Sequence, residues 1–349
     1  MRFFLSCFRF IIKPKEKLVL PAYKGAVLRG GLGWAFKNLV CIRKDKECSN
    51  CLISRRCSYF SIFETPVPAD ATMMRKYPFA PHPFILTPPL NAETNFDNSC
   101  ELEFELTLIG RAIDYLPYFV YVFDELGRCG LGRPENQYSL VRIEDAADPA
   151  GNCLVYEEAS KKLSDNFHRI HFSEVQDRSH VPDGAEASPA ALLRLLTPTH
   201  LVRDGNIDHE LKFATVMESL LRRIKLLQYF HCMDRHDGSS PDAIVSAPAE
   251  AVQNDGGELT SKEIHRLLSI SDQVETMDKR LRWTGNRRKS GHSGAPMTLS
   301  GFAGEIEYRF PSQEALEALA PYLRMGEFIH IGKHTSFGFG KIRLGKSGE

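Results

Sequence analysis

This sequence predicts an α+β protein built from two tandem ferredoxin-like (RRM-like) domains, with a glycine-rich loop close to its C-terminal end. The main support is an order of elements that occurs twice along the chain: strand, helix, strands, helix, strand. The 349 residues also suit two domains of roughly 100–200 residues each. Between the two runs, residues 155–190 contain "SEVQDRSHVPDGAEASP", which reads as a spacer. The expected division is 1–160 for the first domain, with a cysteine-rich insertion at 41–57, and 190–349 for the second, with the glycine loop at 332–340.

Residues 2–12 read as the first strand. "KGAVLRGGLGWAFKNLV" places Val27, Leu28, Leu32, Ala35, Phe36 and Leu39 at helical spacing. Gly30, Gly31 and Gly33 weaken this helix by roughly 1 kcal/mol each relative to alanine, which suggests that another backbone comes close. After the cysteines, "PFAPHPFILTPPL" has no regular period. "CELEFELTLIG" alternates (Leu102, Phe104, Leu106, Leu108) and is a strand. "RAIDYLPYFVYVFDELG" is a helix with Pro117 early, and a glycine turn leads into "NQYSLVRIEDA" as a strand.

In the second half, "ALLRLLTPTHLV" is a strand with a proline stop. "DHELKFATVMESLLRRIKLLQYF" is an amphipathic helix with Phe213, Met217, Leu220, Ile224 and Leu227 on one face. Residues 234–262 are acidic, small and proline-broken, the pattern of an insertion. "LSGFAGEIEYRF" is one long strand or a strand pair, and "SQEALEALAPYLRMG" a short helix capped by Ser312. The glycine loop then falls between "EFIHI" and "KIRL", both expected as strands.

Lys+Arg and Asp+Glu balance at 44 each, which excludes a uniformly basic nucleic-acid binder. The charge is segregated, however. Residues 1–60 hold 13 Lys and Arg against 3 acidic residues, and 279–346 hold 12 against 5, whereas 234–278 hold 3 against 10. Local patches of this kind set the field that a polyanion meets. "MRFFLSCFRFIIKPKEK" mimics a secretory leader, but Arg9 interrupts its apolar run and no small-residue cleavage site follows, so a buried strand is expected. No stretch approaches the roughly 20 apolar residues of a membrane helix. A cytoplasmic protein without membrane contact is the expectation.

Nine cysteines in such a chain argue against a disulfide scaffold. Four of them, Cys41, Cys48, Cys51 and Cys57, are spaced C-x6-C-x2-C-x5-C. That spacing suits a structural tetrathiolate Zn²⁺, and also admits an iron–sulfur cluster or simply reduced cysteines. Arg43, Lys44, Lys46, Arg55 and Arg56 would offset the thiolate charge.

"IHIGKHTSFGFGKIRL" (329–344) does not open a helix, which rules out the dinucleotide and triphosphate glycine loops. Its glycines permit positive φ and close backbone approach. Exposed N–H groups beside Lys333 and Lys341 could form an anion-binding concavity; a tight hairpin without a ligand fits the same residues.

"LSGFAGEIEYRF…LAPYLRMGEFIHIGKHTSFGFGKIRL" resembles the C-terminal signature of the CRISPR-associated endoribonucleases that cut precursor CRISPR RNA, within the repeat-associated (RAMP) superfamily. Three further stretches resemble the same family: 27–64, 192–230 and 282–304. The resemblance implies tandem ferredoxin-like domains that grip a repeat RNA and cut it by metal-independent transesterification, with no catalytic cofactor. It also implies CRISPR repeat RNA or precursor crRNA as partner, and effector-complex subunits beside it. A noncatalytic crRNA-binding subunit of an effector complex is the rival from another class. A zinc-stapled nucleic-acid binder outside CRISPR is the remoter one.

Transesterification needs a base for the 2′ proton, an acid for the departing 5′ oxygen, and cations around the phosphate. Many members of the family carry a catalytic histidine in or just after the first helix, but residues 22–60 contain none. Tyr23, Arg29 and Lys37 are the groups there able to donate a proton or stabilise charge. His334 and His330 lie nearest the loop and are candidates for acid or base, with RNA contact as the alternative. "GNRRKSGHSG" is a solvated turn taken alone. Coupled to the loop, its Arg287, Arg288 and Lys289 become a backbone clamp. Arg29, Gly332, Lys333, Gly338, Gly340 and Lys341 complete the expected RNA contacts.

Overall fold

The computed structural model describes residues 1–346 except 44, 46, 49, 149, 152, 179–188, 204, 234–256 and 290–295. In the first half, strand β1 (Phe4–Pro14) precedes helix α1 (Gly25–Val40), strands β2 (Phe84–Thr87) and β3 (Leu102–Ile109), helix α2 (Leu116–Cys129) and strand β4 (Tyr138–Asp145). The sheet order is β2-β3-β1-β4 and every pairing is antiparallel. The β1–β3 register runs from Leu5 opposite Ile109 to Ile12 opposite Leu102. Short strands at Leu154–Glu157 and Lys162–Leu163 extend the β4 edge, and Ile170–His171 pairs with the start of β1.

The second half repeats the plan. Strand β5 (Ala190–Thr199), helix α3 (Phe213–Leu227), strands β6 (Glu275–Lys289) and β7 (Pro296–Arg309), helix α4 (Gln313–Ile329) and strand β8 (Ile342–Lys346) form an antiparallel sheet in the order β6-β7-β5-β8. Both sheets therefore have the ferredoxin-like strand order, with the first strand of each unit central. Pro117 sits in the first turn of α2, where a missing N–H costs nothing. Ser312 caps α4 by accepting from the Ala315 N–H. Among the described residues no helix is long and apolar enough to cross a membrane.

Strand β1 is buried on both faces. Phe8, Phe10 and Ile12 pack with Leu32, Phe36, Phe119 and Phe123 under α1 and α2. The alternate residues Phe3, Leu5 and Cys7 join Leu193, Met217, Leu220, Leu323 and Ile329 of the second half. Successive side chains on a strand point to opposite faces, so one strand closes both cores. That is why the opening of the chain reads as an almost continuous apolar run.

Three expectations change. "EFIHI" is not a strand: α4 continues through Ile329, because Gly326 brings the helix against Leu220 and Ile342, where a Cβ would come within 2.9–3.3 Å of their methyl carbons. The chain turns only at His330, with φ +59. Second, residues 285–289 of the basic stretch are not a turn but the end of β6, paired with residues 296–300 of β7. Third, part of the expected spacer forms a short helix, Phe172–Arg178, whose Phe172 contacts Tyr322 of α4. The spacer's residues 179–188 and most of the acidic 234–262 insertion lie outside the described residues.

Leu5→Ala should cost about 2–5 kcal/mol, as for other buried leucines, measured by denaturant unfolding of the full chain. A cost near zero would mean that the outer face of β1 is not packed against the second half.

Candidate functional site

The glycine loop leaves α4 and folds back onto the first half of the chain. Its anchor is His330, which is fully buried. The Phe339 carbonyl can only accept, so His330 donates Nδ1–H to it at 3.0 Å. Nε2 then accepts from the Thr87 hydroxyl of β2 at 3.2 Å. Burial, followed by the Lys341 charge, holds this imidazole well below its usual pKa. His330 therefore cannot be the acid or base expected from sequence: it has no solvent face, and both ring nitrogens are used.

Four further contacts press the loop against the first half. The Tyr23 hydroxyl donates to the Phe337 carbonyl at 2.7 Å, and burial raises its pKa. A Cβ on Gly25, the first residue of α1, would lie 2.0 Å from that same carbonyl oxygen. Gly338, at φ +85, faces Pro88 and the Leu86 carbonyl, where a Cβ would meet atoms at 2.3 and 2.6 Å. Lys341 Nζ binds Glu105 Oε2 of β3 at 2.8 Å. On the other side, Thr197 of β5 donates to the Gly338 carbonyl at 2.7 Å and accepts from the Lys341 N–H.

The loop is therefore a folded plug, closer to the ligand-free hairpin than to the open anion concavity that its glycines also allowed. The N–H groups of Ile331, Lys333, Phe337, Gly338, Gly340 and Lys341 all donate to protein acceptors. Gly338 and Gly340 are buried and face protein, so neither offers surface to RNA; Gly332 is half-buried against the His200 carbonyl. Lys341 has its charge engaged by Glu105. Tyr23 acts as a tether with its proton committed to Phe337.

Arg29 lies one turn into α1, with its guanidinium carbon 4.7 Å from the centre of the Phe63 ring, 5.4 Å from Phe84 and 5.7 Å from Phe337. It joins α1, β2 and the loop through cation–π packing. Lys37 stands two turns further on, about 12 Å along the helix at 1.5 Å per residue. Its amine lies over Tyr59 and lines a cavity with Cys41, Cys48, Cys51 and Cys57. Lys37 therefore does not belong to the loop site. None of the four cysteines is in a disulfide. Among the described residues, no three His, Cys, Asp or Glu groups are arranged to hold a metal ion.

The outward lip of the loop carries Lys333, which is exposed, and His334, which is half-buried. His334 adopts φ +63 and meets the ring of His200 edge-on at 5.8 Å. His200, just beyond β5, donates Nδ1–H to the Ser300 carbonyl at 2.9 Å. In the neutral ring this fixes the tautomer and leaves the lone pair on Nε2. The His200 carbonyl also accepts from the Lys333 N–H at 3.0 Å. Sequence reasoning missed His200, although a histidine ending a strand after "LTPT" was a visible signal. Ser300 pairs with Gly285 in the β6–β7 hairpin, so the backbone register leads from His200 to Arg287 within two residues. The side chains of Arg287, Arg288 and Lys289 lie outside the described set.

Two family models divide the chain. Residues 3–167 match one described as an N-terminal domain, and residues 193–342 match the CRISPR-associated endoribonuclease Cas6. The second half of the chain is thus similar to the Cas6 family of CRISPR-associated endoribonucleases. An uncharacterized protein of Archaeoglobus fulgidus is 28% identical over 127 residues, which is 36% of this chain and 42% of that relative, less than half its length. Among solved structures, a Cas6 product complex superposes with TM-score 0.54 at 17% identity, covering 97% of this chain and 98% of that one. Thermus thermophilus Cas6 gives 0.52 at 16%, covering 99% of each. A partial Cas6-RT-Cas1–Cas2 complex gives 0.58 at 9%, covering 99% of this chain and 47% of that chain. At these identities the likeness concerns the fold, and it spans both sheets of the chain.

The buried His330 makes stability depend on pH in a definite direction. Its folded pKa is depressed, so the unfolded ring binds a proton below about pH 6.5 that the folded ring refuses. The contribution is complete above that pH and is lost as pH falls towards the folded value. His82, hydrogen-bonded to Thr65 and pushed down to about 3 mainly by burial, acts in the same direction. Replacing His330 by Gln should flatten the fall in unfolding free energy between pH 6.5 and 5 by up to about 1.4 kcal/mol per pH unit. Parallel pH dependences for wild type and variant would mean that the folded ring is protonated.

Proposed function

We propose that this chain binds CRISPR repeat RNA and cuts precursor crRNA at one position by metal-independent transesterification, with His200 and His334 as the acid–base pair. The observation that carries the reading is the edge-on pairing of these two imidazoles on the outward lip of the loop, beside the exposed Lys333. His200 Nε2, its tautomer set by Ser300, removes the 2′ proton. The 2′ oxygen then bonds to phosphorus as the bond from phosphorus to the 5′ oxygen breaks. His334 delivers a proton to that leaving oxygen, and Lys333 neutralises the phosphate. The products are a 2′,3′-cyclic phosphate and a 5′-hydroxyl.

The remaining surface suits a ribonucleotide chain. Trp283 of β6 is 44% exposed and stacks on His209 at 5.8 Å, a platform on which a base could continue the stack. The same strand runs on to Arg287, Arg288 and Lys289, which we assign to the RNA backbone.

Incubating the protein with its own repeat RNA in EDTA should give a single cut ending in a cyclic phosphate. A stable uncut complex would favour the noncatalytic effector subunit, and a requirement for Mg²⁺ would refute the mechanism. His334→Ala and His200→Ala should each slow single-turnover cleavage by about 10²–10⁴-fold without changing RNA affinity. Unchanged rates in both variants would remove the pair from the chemistry. Replacing Arg287 and Arg288 by Ala should reduce the slope of log affinity against log salt by roughly 0.7 for each phosphate that the variant no longer neutralises; an unaltered slope would contradict the clamp.

A further inference from the structure

The segment 41–58 lacks the usual source of order. Among its described residues none is buried, and Ile42, Leu52 and Ile53 point outward at 78%, 101% and 43% exposure. It nonetheless turns sharply: the Cys51 N–H donates to the Cys48 carbonyl at 3.2 Å, the Ser54 N–H to the Cys51 carbonyl at 3.1 Å, and the Cys57 N–H to the Ser54 carbonyl at 3.1 Å. Small units without a hydrophobic core need a staple of another kind. Here the four cysteines line one cavity. The other five do nothing similar: Cys7 and Cys232 are buried in the core, while Cys100, Cys129 and Cys153 bond to groups elsewhere.

We propose that Cys41, Cys48, Cys51 and Cys57 hold one zinc ion that staples this segment to the C-terminal end of α1. Four sulfur donors select zinc or an iron–sulfur cluster, and a C-x2-C pair, Cys48 and Cys51, flanked by two further cysteines has the ligand spacing of a closed structural zinc site. The four thiols line this cavity without converging on one point, so binding closes the segment around the ion, and with no buried anchor little resists that movement. Each thiol gives up its proton on ligation. The resulting negative charge faces Lys37 and Arg43 on the cavity wall. The ion touches no part of the loop site. Its effect reaches that site through packing, since Tyr59 stacks on Phe63 at 5.0 Å and Phe63 carries the Arg29 guanidinium.

The test is independent of RNA cleavage. Full-length protein grown with zinc in the medium should contain one zinc per chain by elemental analysis. Titrating the metal-stripped wild type with Co²⁺ should produce thiolate-to-cobalt charge-transfer and tetrahedral d–d absorption. Cys48→Ser and Cys51→Ser should lose both signals, while Cys100→Ser keeps them. Adding zinc back to the stripped wild type should slow amide exchange across residues 41–64. Absence of zinc together with no cobalt absorption in the wild type overturns the site. So does iron–sulfur absorption, or full metal content in the cysteine variants.

Discussion

A single buried imidazole holds the two halves of this chain together at the place where chemistry is proposed. His330 donates to the loop's own Phe339 carbonyl and accepts from Thr87 of the first sheet. Inside a dry interface such bonds are stronger than in water, and an unpaired nitrogen there would cost on the order of 1–3 kcal/mol. Once His330 is set, the loop has little freedom. Tyr23 and Gly25 fix one flank against Phe337, Gly338 fits over Leu86 and Pro88, and Lys341 meets Glu105. The exposed side is left with Lys333, His334 and the neighbouring His200. The glycines thus serve protein–protein approach within the chain, and the reactive groups stand on the residues between them.

The second constraint is the double burial of β1. Each half has its own helical layer, but Phe3, Leu5 and Cys7 place the first strand in the core of the second half. The relative position of the halves is therefore set by apolar packing as well as by the loop. His200 and His334 both belong to the second half, but the first half pins the loop that carries His334. A misplacement of about 1 Å there can cost on the order of 10²-fold in rate.

Much of this was legible in the chain. The alternation of Leu102 to Leu108 and the 3.6-residue spacing of Phe213 to Leu227 gave a strand and a helix where they occur, and the repeated order of elements gave the sheet topology. The failures have physical causes. "EFIHI" alternates like a strand, yet Gly326 lets the helix lie so close to α3 and β8 that it continues to Ile329. Strand β6 was hidden because "ETMDKRLRWTGNRRK" is charged with no apolar alternation, as expected for a hairpin whose described residues are largely exposed. Lys37 was grouped with Tyr23 and Arg29 as a candidate, but the helix carries it two turns past Arg29, to Tyr59 and the cysteines. His200 escaped because only the fold brings β5 beside the loop.

The sharing of β1 bears on how the protein is made. The first four strands can pair as soon as residue 145 has left the ribosome, but the back of their sheet, with Leu5, Ile85 and Ile109 on it, is covered by Ile170, Phe172 and Val175 and then mostly by residues from the second half. At about 5–20 residues per second, the roughly 200 residues up to the last strand take on the order of 10–40 seconds. For that interval the nascent chain presents a greasy sheet face without most of its cover. A chaperone bound to that face would protect it, whereas slower translation would prolong the exposure.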